Sequence, residues 1–247
     1  MKIKPIKTGR IASAQKIETI LDRYVKKISE NSILAITSKI ISICEGNVVD
    51  LAGMNKEKLV YREADLFLRG KNRFGAILTI KNNILIPTAG IDESNGNGKF
   101  ILWPKNPQKS ANRIRKYLRR KFKIENIGVV ITDSKTTPLR WGTTGISIVY
   151  SGFEALNSYI GNKDIFGREM TATRANIADG LAASVVLVIG EGNEQTPLAM
   201  ITEIPFVRFR KGSPTAKELS RLHIDIKDDL YCKILTSVKW QRGGAKG

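Results

Sequence analysis

Apolar runs that break off on oxygen-bearing side chains constrain this chain more than any other feature of its sequence. Val129-Val130-Ile131-Thr132 ends in Asp133-Ser134, and Ile33-Leu34-Ala35-Ile36 runs straight into Thr37-Ser38-Lys39. Runs this short, bounded by polar turns, read as buried strands. A carboxylate, hydroxyls and an ammonium are therefore delivered at strand ends. A further polar loop, Pro87-Thr88-Ala89-Gly90-Ile91-Asp92-Glu93-Ser94-Asn95, follows the run Ile84-Leu85-Ile86, which pairs with Ala76–Ile80 through the hairpin turn Lys81-Asn82-Asn83.

These strand-length runs alternate with helical periods. Ser13 is placed to cap a helix reaching about Glu30, with Ile17, Ile20, Leu21, Tyr24, Val25 and Ile28 on one stripe. Residues 56–70 read as helix, Phe100–Trp103 as strand, and Ser110 as the start of a basic amphipathic helix. Ile127–Thr132 and Gly145–Tyr150 read as strands, Thr171–Val188 as a long apolar helix or helix plus strand, Pro197–Thr202 as a strand, and Lys217–Leu235 as a helix kinked at Asp228-Asp229. The alternation predicts an α/β class, with α+β the variant, built of mixed sheets with flanking helices. With 247 residues and 42% apolar content, the chain is expected to form one domain over residues 1–240, with room for a smaller subdomain. Residues 241–247 are poor in apolar content and are expected to be disordered.

The chain carries 41 Lys and Arg against 23 Asp and Glu, a formal charge of +18, which makes a steering field for anionic partners. Its densest basic cluster, Arg113–Lys123, repeats Ile114, Tyr117, Leu118 and Phe122 at helical spacing and reads first as a solvated helix face. Nucleic acid is the competing partner for that face, but the aromatics are too sparse for a stacking platform. No stretch approaches the roughly 20 apolar residues of a membrane span. Met1-Lys2-Ile3-Lys4-Pro5 lacks the apolar block of a secretory signal, so a cytoplasmic location is expected. Cys44 and Cys232 make neither a disulfide framework nor a zinc spacing.

Hard cations such as Mg²⁺ and Mn²⁺ take oxygen ligands and leave positions to water or phosphate. Asp92, Asn95, Asp133, Ser134 and the acidic turn Ile189-Gly190-Glu191-Gly192-Asn193-Glu194 offer such oxygens from three chain segments. If these converge, they can clamp two divalent ions over a nucleotide's phosphates, with Lys39 or Arg140 holding the oxygens left uncovered. Taken singly, the same residues serve as caps, turn formers or solvated acids, and spacing leaves that alternative open.

The ordered set Thr37-Ser38-Lys39 with Glu45-Gly46, Ala89–Asn95 and Val130-Ile131-Thr132-Asp133-Ser134 resembles the coenzyme F420-0:γ-glutamyl ligase family. Asp164–Met170, Ala178–Ala183 and Val188–Glu191 resemble that family's later blocks, so the likeness runs from about Ile33 to Thr202. The resemblance implies an enzyme that uses GTP, with ATP as the other option, and Mg²⁺ or Mn²⁺ to join L-glutamate to a carboxylate on a deazaflavin precursor through an acyl phosphate. It further implies Asp92, Asp133, Ser134 and Glu191 as metal ligands. Ser38, Lys39, Asn95, Ile189 and Gly190 with Glu191 would contact the nucleotide, and Arg140 the substrate phosphate or carboxylate. Asp92, Asp133 and Lys39 would carry catalysis. A homodimer with intertwined sheets is implied as well.

Several departures stand beside the likeness. Thr8-Gly9-Arg10-Ile11-Ala12-Ser13 has no acid where the family carries a Gly-Asp-Asp-Leu segment, Ile43 stands where the family has a basic residue, and Lys135–Arg140 differs near the expected acceptor. These differences keep a folate acceptor open, since its γ-carboxylate chemistry is the same. His223 reads as structural, Trp103 and Trp240 as packing anchors, and Trp141 as a packing anchor or one wall of an acceptor pocket. Asp179 and Arg168 read as caps or braces for the following helix. The competing classes are a nucleic-acid-binding protein and a nucleotide-binding relic without turnover.

Overall fold

In the computed structural model, which describes residues 1–12 and 15–244, the two apolar runs lie side by side inside one sheet. The first half comprises β1 (Lys2–Ile6), α1 (Ile17–Tyr24), β2 (Ser32–Thr37), α2 (Ser38–Cys44), β3 (Val48–Asp50), α3 (Lys56–Glu63), β4 (Leu66–Phe67), β5 (Leu78–Lys81), β6 (Ile84–Pro87) and β7 (Lys99–Ile101). There follow α4 (Pro107–Phe122), β8 (Ile127–Thr136), β9 (Thr143–Ser151), β10 (Leu156–Ser158), β11 (Arg174–Asn176), α5 (Ile177–Ile189), β12 (Leu198–Thr202), α6 (Ala216–Ser220), α7 (Cys232–Thr236) and β13 (Gln241–Arg242).

The principal sheet runs β1-β12-β2-β8-β9, parallel at β2–β8 and antiparallel elsewhere. Its middle strands are covered on both faces, which is why they are apolar without alternation. Leu34, Ile36, Val129 and Ile131 join a cluster with Ile17, Leu21, Ile114 and Leu118 of α1 and α4. Ile33, Ala35 and Val130 join Leu181, Val185 and Ile189 of α5 on the opposite face. Each fully buried Val, Leu or Ile side chain among these contributes about 1.5–3 kcal/mol. A second sheet, β13-β4-β5-β6, and the β3–β7 pair enclose a smaller core of Leu59, Val60, Phe67, Ile77, Phe100 and Leu102. The class is the mixed α/β read from the sequence. Among the described residues no helix is long and apolar enough to cross a membrane.

Local chemistry moved several boundaries. The expected Ser13 cap lies outside the described residues, and α1 stops at Tyr24 because Val25 turns extended, although Val25 and Ile28 stay buried. The expected helix over 56–70 ends at Glu63, and Leu66–Phe67 becomes a strand that completes the ladder between β5 and β13. Helix α4 begins at Pro107 under an Asn106 cap, and Ser110 sits buried inside it, bonded to Glu45. The Lys217–Leu235 stretch forms two five-residue helices, α6 and α7, separated by turns. Gln241–Arg242, expected in a disordered tail, pairs with β4. The Asn82-Asn83 turn is as expected, both residues at positive φ (49° and 59°), the twist a two-residue hairpin requires.

Candidate functional site

Parallel pairing sets the site's position. Thr37 stands opposite Thr132, so β2 and β8 emerge at one level and carry Ser38-Lys39 beside Asp133-Ser134. Ligand crevices in α/β sheets open at such carboxyl ends. β8 continues to Thr136, so Asp133 and Ser134 lie within the strand rather than beyond the end expected at Thr132. Strand alternation therefore sends them to opposite faces. The β8–β9 ladder also slips register between Ile131 and Thr132, a bulge of the kind that re-aims side chains near sites.

Asp133 meets Trp103, whose indole Nε1–H donates to its Oδ2, while the Ser134 N–H donates to Oδ1 at 2.8 Å. On the other face the Ser134 hydroxyl donates to Glu191 Oε1 at 2.6 Å, and the Thr143 hydroxyl does so at 3.1 Å. Glu191 stands just beyond α5, whose packing against β9 brings it there. The third group comes from the smaller sheet. After β6, Thr88, Ala89 and Gly90 take φ of 56°, 54° and 69°, three left-handed residues that swing the chain into the Asp92 loop. Such strain at Thr and Ala persists only when the surroundings hold it. Here the Ala89 N–H donates to Thr79 Oγ1 at 2.8 Å and the Thr88 N–H to the Ile77 carbonyl at 2.7 Å.

Lys39 reaches across from α2 to this loop, placing Nζ 2.6 Å from Asp92 Oδ2 and donating to Ser94 Oγ at 2.9 Å and the Ser94 carbonyl at 3.1 Å. The Ser94 N–H donates to Asp92 Oδ1 at 2.7 Å, and Asn95 Nδ2 donates to the Gly192 carbonyl at 3.0 Å, tying the second-sheet loop to the loop after α5. Burial pushes the Asp92 carboxyl up, but the Lys39 bond and charge and the Ser94 donors outweigh it and hold it below the usual range. Burial likewise raises Asp133, and the Trp103 and Ser134 donors only partly offset it. The Asp92 charge adds to the rise, and the net value is about 6.

Together these groups line a cleft of about 960 Å³. Ser38, Lys39, Asp92, Asn95, Asp133, Ser134, Ile189, Gly190 and Glu191, all candidates from the sequence, are in its wall, as are Thr8–Ala12 and Ile43. Arg140 is not. It sits on the exposed β8–β9 turn, its N–H bonded to the Thr137 carbonyl at 3.3 Å. Trp141 on the same turn is 83% exposed, edge-on to Phe74 with Arg73 over both rings, and lines no part of the cleft. His223 lies outside the cleft. Two residues escaped sequence reasoning. Trp103 gave only a packing signal, and Thr143 gave none.

In a chain of charge +18 the cleft is acidic: Asp92, Asp133, Glu191 and Glu194 face Lys39 and Arg10. Among the described residues no group of three or more His, Cys, Asp or Glu is suited to hold a metal ion. The donors are hard oxygens spread around the wall, a set that fits Mg²⁺ or Mn²⁺ sharing its coordination with phosphate and water. The buried Thr132 Oγ1 in this wall has no hydrogen-bond partner among the described residues.

A mixed α/β frame with carboxylates, hydroxyls, an amide and an ammonium converging on one open cleft is the build of an enzyme site. The family described as F420-0:Gamma-glutamyl ligase matches residues 5–203. The chain is 34% identical over 211 residues to a coenzyme F420:L-glutamate ligase of Methanococcus maripaludis strain C6, covering 78% of this chain and 83% of that one. It is 27% identical over 252 residues to the Methanosarcina mazei protein of the same name, covering 94% and 98%. A 43% identical match to the Methanococcus maripaludis strain C7 protein spans 57% of this chain and 55% of that relative. The chain belongs to the F420-0:gamma-glutamyl ligase family, a family of ligases.

Proposed function

We propose that this chain joins L-glutamate, through its α-amine, to the carboxylate of an F420-0-type deazaflavin precursor, and then to the γ-carboxylate of the glutamate added, using GTP and two divalent ions. The observation that carries the reading is the acidic cleft itself, where four carboxylates from three chain segments meet the Ser134 hydroxyl and Lys39. A triphosphate would be repelled from such a wall unless cations stood between them. Asp92, Asp133, Ser134 and Glu191 have the oxygens to hold Mg²⁺ or Mn²⁺, which would supply charge neutralisation for the departing phosphoryl group.

The remaining work falls to the chain's own groups. Lys39, held by Asp92 and Ser94, presents an ammonium to phosphate oxygens, while Ser38, Asn95 and the Ile189-Gly190-Glu191 turn border the nucleotide. An acceptor carboxylate oxygen attacks the terminal phosphorus and the nucleoside diphosphate leaves. The glutamate amine then attacks the acyl carbon, phosphate leaves, and the new amide nitrogen gives up one proton. Association of two copies is part of the proposal, supported by Ile165 and Phe166, which are 92% and 89% exposed.

The test is a mass-spectrometric assay of the purified protein with L-glutamate, GTP or ATP, Mg²⁺ or Mn²⁺, and a panel of deazaflavin, folate and pterin acceptors. A gain of one glutamyl mass on the deazaflavin, with phosphate release, is expected. A gain on folate instead would reassign the acceptor, and no glutamyl product with any acceptor would refute the function.

A further inference from the structure

We propose that Trp103 is a positioning residue for Asp133: its indole N–H, reaching the site from the far side of the strand, fixes the carboxylate that the cleft uses. This rests on the reading of Asp133 as a cation-binding group. Trp103 is 2% exposed, and its ring packs in the cluster beneath the principal sheet. Its single polar side-chain atom is committed to Asp133 Oδ2. A buried indole N–H needs an acceptor, and a carbonyl or water would satisfy it equally well. Here it is spent on an acid of the candidate site.

The indole is itself tightly held. Gly90, at φ 69°, lies so close to it that a Cβ there would overlap Nε1 and Cε2, so only glycine permits the approach. The Trp103 carbonyl accepts from Asn47 Nδ2 at 2.6 Å, and Lys81 Nζ stands 5.7 Å from the ring centroid. Trp103 therefore bridges the left-handed turn that launches Asp92 and the strand that carries Asp133. A carboxylate held by one donor on each oxygen cannot rotate, and each oxygen keeps a lone pair free for a cation. Losing the outer partner of a metal-binding group typically costs about 10- to 100-fold in metal affinity or activity.

Trp103→Phe keeps an aromatic ring and removes the N–H. In the full-length protein its affinity for Mn²⁺, titrated alone by calorimetry, is expected to fall about 10- to 100-fold, with circular dichroism unchanged. Asp133→Asn is measured alongside. If Asp133→Asn weakens Mn²⁺ binding while Trp103→Phe stays within about twofold of wild type, far from the effect expected of such a partner, the positioning role is overturned and the cleft reading stands. If Asp133→Asn itself binds Mn²⁺ like wild type, the cleft reading falls, and this inference with it. Should Trp103→Phe not fold, the indole N–H signals of nitrogen-labelled, metal-free protein decide. The Trp103 signal is expected to move in Asp133→Asn while that of Trp240, bonded to the Leu235 carbonyl, stays, and an unmoved Trp103 signal overturns the inference.

Discussion

Replacing Asp133 with asparagine should have opposite effects on stability and on function. The carboxyl is raised from an ordinary 3.8 to about 6, chiefly by burial. At about 1.4 kcal/mol for each tenfold change in proton affinity, carrying the charge inside the fold costs on the order of 3 kcal/mol. Because the folded state holds this proton more tightly, stability from the group is greatest below the unfolded value and is lost as pH rises through about 6. An asparagine never carries the charge. Its amide oxygen can still accept from Trp103, but its NH₂ then faces the Ser134 N–H, a loss of about 1 kcal/mol. Net stabilisation of about 2 kcal/mol is expected near pH 8, turning into a small loss near pH 4. Guanidinium unfolding of both proteins in chelator at the two pH values measures it. An Asp133→Asn effect of the same sign and size at both would refute the assignment of a burial-strained carboxylate.

Two further perturbations probe the frame. In Gly145→Ala the new Cβ would lie 2.7 Å from the Ala182 carbonyl carbon and from Val186 Cγ2 of α5. The helix that leads into Glu191 must then shift, at a cost of about 1–3 kcal/mol, and thermal melting and ligase turnover should both fall; wild-type values for both would show the contact to be slack. In Arg115→Met the buried guanidinium that donates to the carbonyls of Ile127 (2.7 Å), Arg210 (2.5 Å), Lys211 (3.1 Å) and Gly212 (3.3 Å) is lost. Stability should drop by at least about 3 kcal/mol, with faster tryptic cleavage at Arg210 and Lys211; unchanged cleavage would refute the anchoring.

How far the sequence can be read depended on where each signal resides. The buried strands β2 and β8 were legible because both faces are covered and the apolar run is unbroken. The hairpin at Asn82-Asn83 was legible because turn chemistry is local. The Leu66–Phe67 strand was not, since a two-residue strand has no period and exists only through its partners β5 and β13. The Asp92, Asp133 and Glu191 segments stood out as oxygen-rich, but spacing along the chain carries no distance through space.

The mixed α/β class, the apolar strands at its centre and the donors at their ends are written along the chain, because burial and turn preference act on neighbouring residues. That those donors share a cleft, that Arg140 stands outside it, and that Trp103 grips Asp133 emerges only in the folded molecule. Those outcomes depend on strand register, on the bulge opposite Thr132 and on a glycine-permitted approach between segments remote in the chain. Such contacts are fixed by packing in three dimensions, which no linear pattern encodes.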